Sequence, residues 1–220
     1  MLLAIDTSTQ MIGLALFDGS TVIAESVWRS QNHHTVELSP AIQQLLLRCG
    51  IKSQQLSGLA VALGPGSFTG LRIGLAVAKG MAMALHIPLA GIPTLDVLAV
   101  AQPILDVPMA AVLSAGRQRL AIGWYQVQNR RWMPEGQPVI MTTEELVRQI
   151  HKPTYICGEL DSQSRQMLAR KYRNVNLASA ALCLRRPACL AELAWQRLQG
   201  KKADNAALLS PIYLRVADGE

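Results

Sequence analysis

The spacing of apolar positions changes several times along the chain, and each change marks an element. Residues 2–5 form a continuous apolar run that reads as a buried strand, with residues 12–17 as a second strand and 21–28 as a third, and Asp18-Gly19 as the tight turn between the last two. The chain therefore opens with an antiparallel meander. From about residue 34 to 48, Leu38, Ala41, Ile42, Leu45 and Leu46 recur at helical spacing; Pro40 is placed to kink the first turns and Cys49-Gly50 stops the helix. Residues 59–63 predict a buried strand, 64–70 a glycine-rich turn, and the stretch to Leu85 a helix with Ser67 or Thr69 as its N-cap. A strand over 89–91 and a helix over about 94–101 complete a β-β-β-α-β-α-β-α order.

Pro103 and Pro108 break the pattern, after which it starts again. Strands are expected over 109–113, 119–127 and 139–141, then a helix over 143–150, a strand over 154–157, and helices over 162–171 and 187–199. The repetition predicts an α/β protein of two ribonuclease-H-like lobes, each a mixed sheet with helices, the pairing used by actin-like and sugar-kinase ATPases. The expected division is 1–105 for the first lobe, 106–200 for the second, and 201–220 as a C-terminal segment able to fold back on the first.

Charge sharpens this division. Of the 220 residues, the first 105 hold five basic and five acidic ones, so the whole formal charge of +6 lies in the second half, where sixteen basic residues face ten acidic. Such a surface steers polyanions; contact with RNA is one reading and a merely solvated basic face the other. Half of the residues are hydrophobic, which excludes a disordered chain. Cys49, Cys157, Cys183 and Cys189 form no C-x-x-C pair, which argues against a disulfide framework or a zinc site. The N-terminus lacks the basic region of a signal peptide, and the apolar run over 70–85 contains Arg72 and Lys79 and is short for a bilayer. A cytoplasmic protein with no membrane span is expected.

Three segments carry a resemblance to a known family. They are Leu3-Ala4-Ile5-Asp6-Thr7-Ser8-Thr9, Gly64-Pro65-Gly66-Ser67-Phe68-Thr69-Gly70-Leu71-Arg72-Ile73-Gly74 and Pro211-Ile212-Tyr213-Leu214-Arg215. On these the chain resembles the bacterial TsaB (YeaZ) proteins of tRNA threonylcarbamoyladenosine synthesis, closely over residues 1–100 and thinly beyond. The family's second lobe usually opens with an Asp-Ala-Arg and then a Glu-Val-Tyr pattern. This chain has Ser114-Ala115-Gly116-Arg117-Gln118-Arg119-Leu120 there, without the acidic positions. The resemblance implies a noncatalytic partner of the paralogous transferase TsaD, with an ATPase called TsaE joining the assembly. TsaD moves a threonylcarbamoyl group from an adenylate to the adenosine beside the anticodon of ANN-decoding tRNAs.

Asp6, Thr7, Ser8 and Thr9 stand where an actin-like ATPase keeps its magnesium-orienting carboxylate and first phosphate turn. They are the candidate site for ATP or ADP with magnesium, weak or completed at a partner interface. The simpler reading is that Asp6 caps the turn by accepting the N–H groups of Ser8 or Thr9. A working ATPase also needs a second phosphate loop and a carboxylate from the other lobe, where Ser114 occupies the pseudo-equivalent position and Gly158 stands alone.

The turn of Gly64, Pro65, Gly66, Ser67 and Thr69 lies between a strand and a helix, as a dinucleotide fingerprint would. Its G-x-G-x-x-x-G spacing, the donor lost at Pro65 and the absence of a lysine after Gly70 read instead as a structural turn. The helix that follows is apolar nearly all round, with small residues at Gly70, Gly74, Ala76, Ala78, Gly80, Ala82 and Ala84. One face covers the sheet and the other is expected to meet a partner, unless the helix over 34–48 covers it. The expected interface is His34, Leu38, Gly70, Gly74, Ala78 and Met81, serving a TsaD-type partner or, in isolation, a homodimer.

His33, His34 and Glu37 have no second histidine-rich segment to complete a metal site, so none is expected. No G-x-S-x-G surrounds Ser8, Ser67 or Ser114 as a hydrolase elbow would require. Three functions remain in contention: a noncatalytic subunit of the transferase complex, an autonomous actin-like phosphotransferase using Asp6, and a dinucleotide-binding protein.

Overall fold

The computed structural model describes residues 1–31, 33–116 and 118–214. Arg117 and Arg215, each part of a segment compared above, lie outside the described residues. The chain forms two compact units, Met1–Val97 with Arg186–Ile212, and Leu98–Arg185 with Tyr213 and Leu214.

The first unit holds β1 (Leu2–Asp6), β2 (Met11–Phe17), β3 (Val22–Arg29), α1 (His34–Arg48), β4 (Gly58–Ala62), α2 (Phe68–Leu85), β5 (Leu89–Ile92) and the start of α3 (Thr94–Val100). Its sheet runs β3-β2-β1-β4-β5, with β1, β2 and β3 antiparallel and β4 and β5 parallel to β1. Leu3, Ile5, Leu59 and Val61 share one apolar cluster with Leu38 of α1 and Ala78 of α2. Leu2, Ala4, Ala15, Ala60 and Ala62 belong to another, on the opposite face. A strand buried on both sides reads as an unbroken apolar run, which is why residues 2–5 show no alternation.

The helix that covers this second face comes from far along the chain. Residues 187–199, expected in the second lobe, form α6 (Pro187–Gln199), and its buried Leu190, Ala191 and Ala194 pack on Leu2, Ala4, Ala15 and Ala60. The boundary expected at residue 200 therefore moves to Arg186. Small residues on both sides explain the pairing, since alanines in β1, β2 and β4 leave room for a close helix. Glu25 of β3 pairs with Arg186 and accepts the Ala188 N–H at 3.0 Å, fixing where α6 begins. Past α6, the Asp204 N–H donates to the Leu89 carbonyl at 2.8 Å and the Asp204 carboxylate accepts the Gly91 N–H at 2.7 Å, covering the outer edge of β5.

The second unit repeats the topology. It holds β6 (Met109–Ser114), β7 (Arg119–Gln128), β8 (Arg131–Thr142), α4 (Thr143–Gln149), β9 (Thr154–Gly158), α5 (Ser162–Ala169) and β10 (Val175–Leu177), in the sheet order β10-β9-β6-β7-β8. Each sheet is thus three antiparallel strands flanked by two parallel ones, the ribonuclease-H-like arrangement of actin-like proteins. β8 starts eight residues before the expected strand over 139–141, and β10 was not expected at all.

Asp161 caps α5, its Oδ1 accepting the Ser164 N–H at 2.7 Å, and these Ser164 bonds hold the carboxyl below its ordinary range. Asp161→Ala should cost about 1 kcal/mol at neutral pH. A depressed carboxylate stabilises above its unfolded pKa and ceases to as the pH falls through the folded value. Urea midpoints of wild type and variant should therefore converge only at pH values below the ordinary aspartate range; a pH-independent gap would contradict the cap.

α2 is, by length and composition alone, long and apolar enough to cross a membrane, contrary to the expectation that this run is too short. Its buried stripe lies instead on β1 and β4.

Candidate functional site

Parts of all three resemblance segments meet in the first unit. At the end of β1, Asp6 Oδ1 accepts the Ser8 N–H at 2.8 Å and the Ser8 hydroxyl at 2.6 Å. Ser8 has then used its one proton, so across the 2.9 Å between Ser8 Oγ and Thr94 Oγ1 the threonine is the donor. Thr94 Oγ1 in turn accepts the Gly64 N–H at 2.9 Å, while the Thr94 N–H donates to the Gly64 carbonyl at 2.8 Å. One polarised chain runs from Gly64 through Thr94 and Ser8 to Asp6. Thr94→Val removes its middle hydroxyl and orphans the buried Gly64 N–H, at an expected cost of about 1–3 kcal/mol. Denaturant midpoints check this: Thr94→Ser should restore most of the loss, and an unshifted Thr94→Val would show the chain to be dispensable.

The other bonds close the same knot. The Ser67 N–H donates to the Ser8 carbonyl at 2.6 Å, Thr7 Oγ1 donates to the Gly70 carbonyl at 2.7 Å, and Ser67 Oγ caps α2 by accepting the Gly70 N–H at 3.3 Å. His34 Nε2 lies 2.8 Å from the Thr9 carbonyl; a carbonyl only accepts, which assigns the proton to Nε2. A Cβ at Gly66 would overlap the Ser8 carbonyl, and one at Gly70 the Thr7 carbonyl. At Gly64, where φ is +108°, the Ile212 carbonyl lies across the position a side chain would take, and the Ile212 N–H donates to the Leu63 carbonyl at 2.7 Å. Pro65 is buried beside it. Thr69 is exposed in the first turn of α2, and Ser67 rather than Thr69 is the cap.

This geometry does not fit ATP or ADP with magnesium. Asp6 Oδ1 is turned inward on Ser8, and Asp6, Thr7, Ser8 and Thr9 are only 2, 1, 0 and 7% exposed. The glycine turn leaves no room for even a methyl group against the Ser8 carbonyl. In the second unit, β6 ends on Ser114 where β1 ends on Asp6. Among the described residues no three histidine, cysteine, aspartate or glutamate side chains gather as a metal site. Glu37, flagged beside His33, accepts Trp28 Nε1–H at 2.8 Å and the Ser30 hydroxyl at 3.1 Å, bonds that hold its carboxyl below the ordinary range.

The expected partner interface needs correction. His34, Leu38, Gly70, Gly74 and Ala78 are buried within the chain, and only Met81 is partly exposed. α2 carries two stripes of small residues, and the sequence does not say which one faces the sheet. The Ser67 cap and the Thr7–Gly70 bond set its rotation so that Gly70, Gly74, Ala78 and Ala82 point inward. The outward stripe is Phe68, Arg72, Ala76, Gly80 and Met83, with the Arg72 guanidinium 3.7 Å over the Phe68 ring. Beside it α1 exposes Val36 and Leu47, and an apolar groove of about 480 Å³ opens between the helices, lined by Ile42, Leu46, Leu47, Val77 and Met81. Val36, Leu47, Phe68 and Met83 are 67, 78, 54 and 65% exposed, and none of them is among the interface residues expected from sequence. The available signal was an apolar residue at 36 and at 47, three turns apart on the polar side of α1.

The family model described as TsaD, tRNA N6-adenosine threonylcarbamoyltransferase, matches residues 21–216. The tRNA threonylcarbamoyladenosine biosynthesis protein TsaB of Bacillus subtilis is 33% identical over 223 residues, spanning 100% of this chain and 96% of that protein. The chain belongs to the TsaB (YeaZ) family. The likeness to the Bacillus subtilis protein runs the full length of the chain, whereas the TsaB protein of Escherichia coli, at 38% identity, aligns over only 98 residues, 44% of this chain, in keeping with a resemblance that is strong over one part and thin over the rest. YeaZ from Pseudomonas aeruginosa superposes with a TM-score of 0.77 at 25% identity, over 97% of this chain and 99% of that one. Component A of the Acidaminococcus fermentans (R)-2-hydroxyglutaryl-CoA dehydratase does so at 0.53 and 12%, covering 90% and 98%, a likeness of fold alone.

Proposed function

We propose that this TsaB-family chain serves tRNA threonylcarbamoyladenosine synthesis in the cytoplasm as a noncatalytic subunit that docks and supports a TsaD-type transferase. The observation that carries the reading is the outer α1–α2 face, where four large apolar side chains stand in water beside an apolar groove. The motif turn supports it from the other side, because its carboxylate, hydroxyls and glycines are committed to one another. The same face would pair two copies of the chain when no transferase is present, the ATPase TsaE would join the assembled pair, and the basic second unit would contact the tRNA.

The autonomous phosphotransferase and the dinucleotide readings both need open phosphate-binding turns, and neither gains support from turns that fill each other. Size-exclusion chromatography of the chain mixed with the TsaD-type transferase of its own source is the test. A single peak near the summed mass is expected; two separate peaks at micromolar concentrations would refute the reading.

A further inference from the structure

Much of the charge of the second unit is sorted by the topology of its sheet, although Arg119, Arg165 and Arg185 stand at the acidic end, Arg185 paired with Glu159. β6 and β9 run in one direction, β7 in the other, and α4 and α5 return antiparallel to the strands they serve. The carboxylates Glu144, Glu145, Glu159 and Asp161 therefore fall where β8 and β9 end and α4 and α5 begin. The opposite end collects Arg130 and Arg131 from the β7–β8 turn, Arg148 and Lys152 from the end of α4 and the loop after it, and Arg170, Lys171 and Arg173 from the end of α5.

All seven are exposed except Lys171, which is half-buried and donates to the Ile150 carbonyl at 3.3 Å, joining the two loops. Among the described residues none of the seven is in an ion pair. Asp106 and Glu135 are the carboxylates toward this end, and Glu135 accepts a bond from Gln126 Nε2 at 2.9 Å. From β8 to β10 is four strand spacings, so the row extends about 19 Å. Tyr172 stands within it, 74% exposed, with the Arg173 guanidinium 5.8 Å from its ring centroid.

Helix-end preference accounts for Arg148 and Arg170, because cations are favourable at helix C-termini. It accounts for neither Lys152, Arg173, Arg130 and Arg131 nor a tyrosine left in water. We propose that this end of the second unit is an RNA-binding surface, its cations contacting phosphates and Tyr172 stacking on an unpaired base. The inference rests on the tRNA-modification role argued above and narrows the tRNA contact from half a chain to one sheet end. An exposed aromatic among arginines favours single-stranded or looped RNA over a simple polyanion, since every base offers a face to stack on.

The test uses the full-length chain and a fluorescent, unmodified tRNA transcript, with anisotropy read at several salt concentrations. Replacing Arg148, Lys152, Arg170 and Arg173 together by Gln should weaken binding at least about tenfold and flatten the log–log salt slope by roughly 3, at about 0.7–0.9 per phosphate contact. Tyr172→Ala should weaken binding about fivefold or more with the slope unchanged. Lys201→Gln with Lys202→Gln, both in the first unit, should change neither, and all variants should melt like wild type.

Wild-type affinity and slope in the fourfold variant, or a wild-type chain that ignores tRNA, would overturn the proposal. So would capture by phosphatidylglycerol vesicles in place of RNA. Because co-elution with the transferase is scored separately, losing RNA binding while keeping that partner sinks only this inference.

Discussion

Gly74→Leu should prevent the chain from folding. A Cβ at that position overlaps Thr7 Oγ1, and Thr7 cannot swing away, being 1% exposed and bonded to the Gly70 carbonyl at 2.7 Å. The rest of a leucine would have to enter the contact between α2 and β1, where Leu75, Ala78 and Ile5 already fill the space. Overpacking of this kind costs about 1–3 kcal/mol even where neighbours can adjust, and here the neighbour is pinned. Gly70→Ala is the smaller version: one methyl group against the Thr7 backbone carbonyl, with no rotamer to relieve it, and a cost of about 3 kcal/mol or more. The measurement is the urea midpoint of Gly70→Ala and the soluble, cooperatively melting fraction of Gly74→Leu. From sequence the same leucine would be expected to leave the chain folded and to block a partner; a well-folded Gly74→Leu that no longer binds would restore that view.

The second large effect is on the other side of the same helix pair. Leu47→Glu combined with Met83→Glu places two carboxylates on the exposed α1–α2 face, where both side chains already contact water. The isolated chain should melt within about 0.5 kcal/mol of wild type, as surface substitutions usually do. Binding to the transferase should fall at least about 100-fold, because both charges would be desolvated against an apolar partner. Calorimetric titration against the purified transferase reads the loss directly. An unchanged affinity would place the interface elsewhere; a double variant that unfolds would mean that the face is not external. The two experiments form a pair: α2 breaks the fold from its inner stripe and the complex from its outer one.

Most elements were legible in sequence because local signals and tertiary placement agreed. α1 is found at His34–Arg48, and the βββαβα order of each unit follows from runs of apolar residues separated by glycine and proline. The misreadings share one cause, tertiary context that no local window contains. β8 runs well ahead of the three residues expected for it, through Pro134, Gly136 and Pro138. As the edge strand of its sheet it can hold a proline whose missing N–H faces away from the ladder. β10 is three residues long, too short to show a period, and exists because it pairs with β9. α6 was placed with its sequence neighbours, although the doubly buried β1 and β4 demanded a second covering helix that the first hundred residues could not supply.

The candidate site shows the same division. Asp6, Thr7, Ser8, Thr9 and the glycine turn were visible as unusual residues at strand ends. That the two segments would bond to each other through Thr94, which sequence reading left unremarked, depends on a contact between residues 86 positions apart. The small-residue stripe of α2 was recognised correctly as a surface for close approach. Its target was the chain's own β1, a matter of helix rotation that periodicity leaves undetermined.

The central claim is that the Asp6–Ser8–Thr94–Gly64 network is architecture, and that this TsaB-family chain contributes a surface in place of chemistry. Its most direct test is the threonylcarbamoylation of tRNA by the TsaD-type transferase, TsaE and this chain, alongside ATP turnover by the chain alone. The chain by itself should show no turnover above background, its addition should raise modification by the mixture, and Asp6→Asn should preserve that stimulation in every molecule that folds. Steady ATP hydrolysis by the pure chain, abolished by Asp6→Asn while its melting curve is unchanged, would contradict the account.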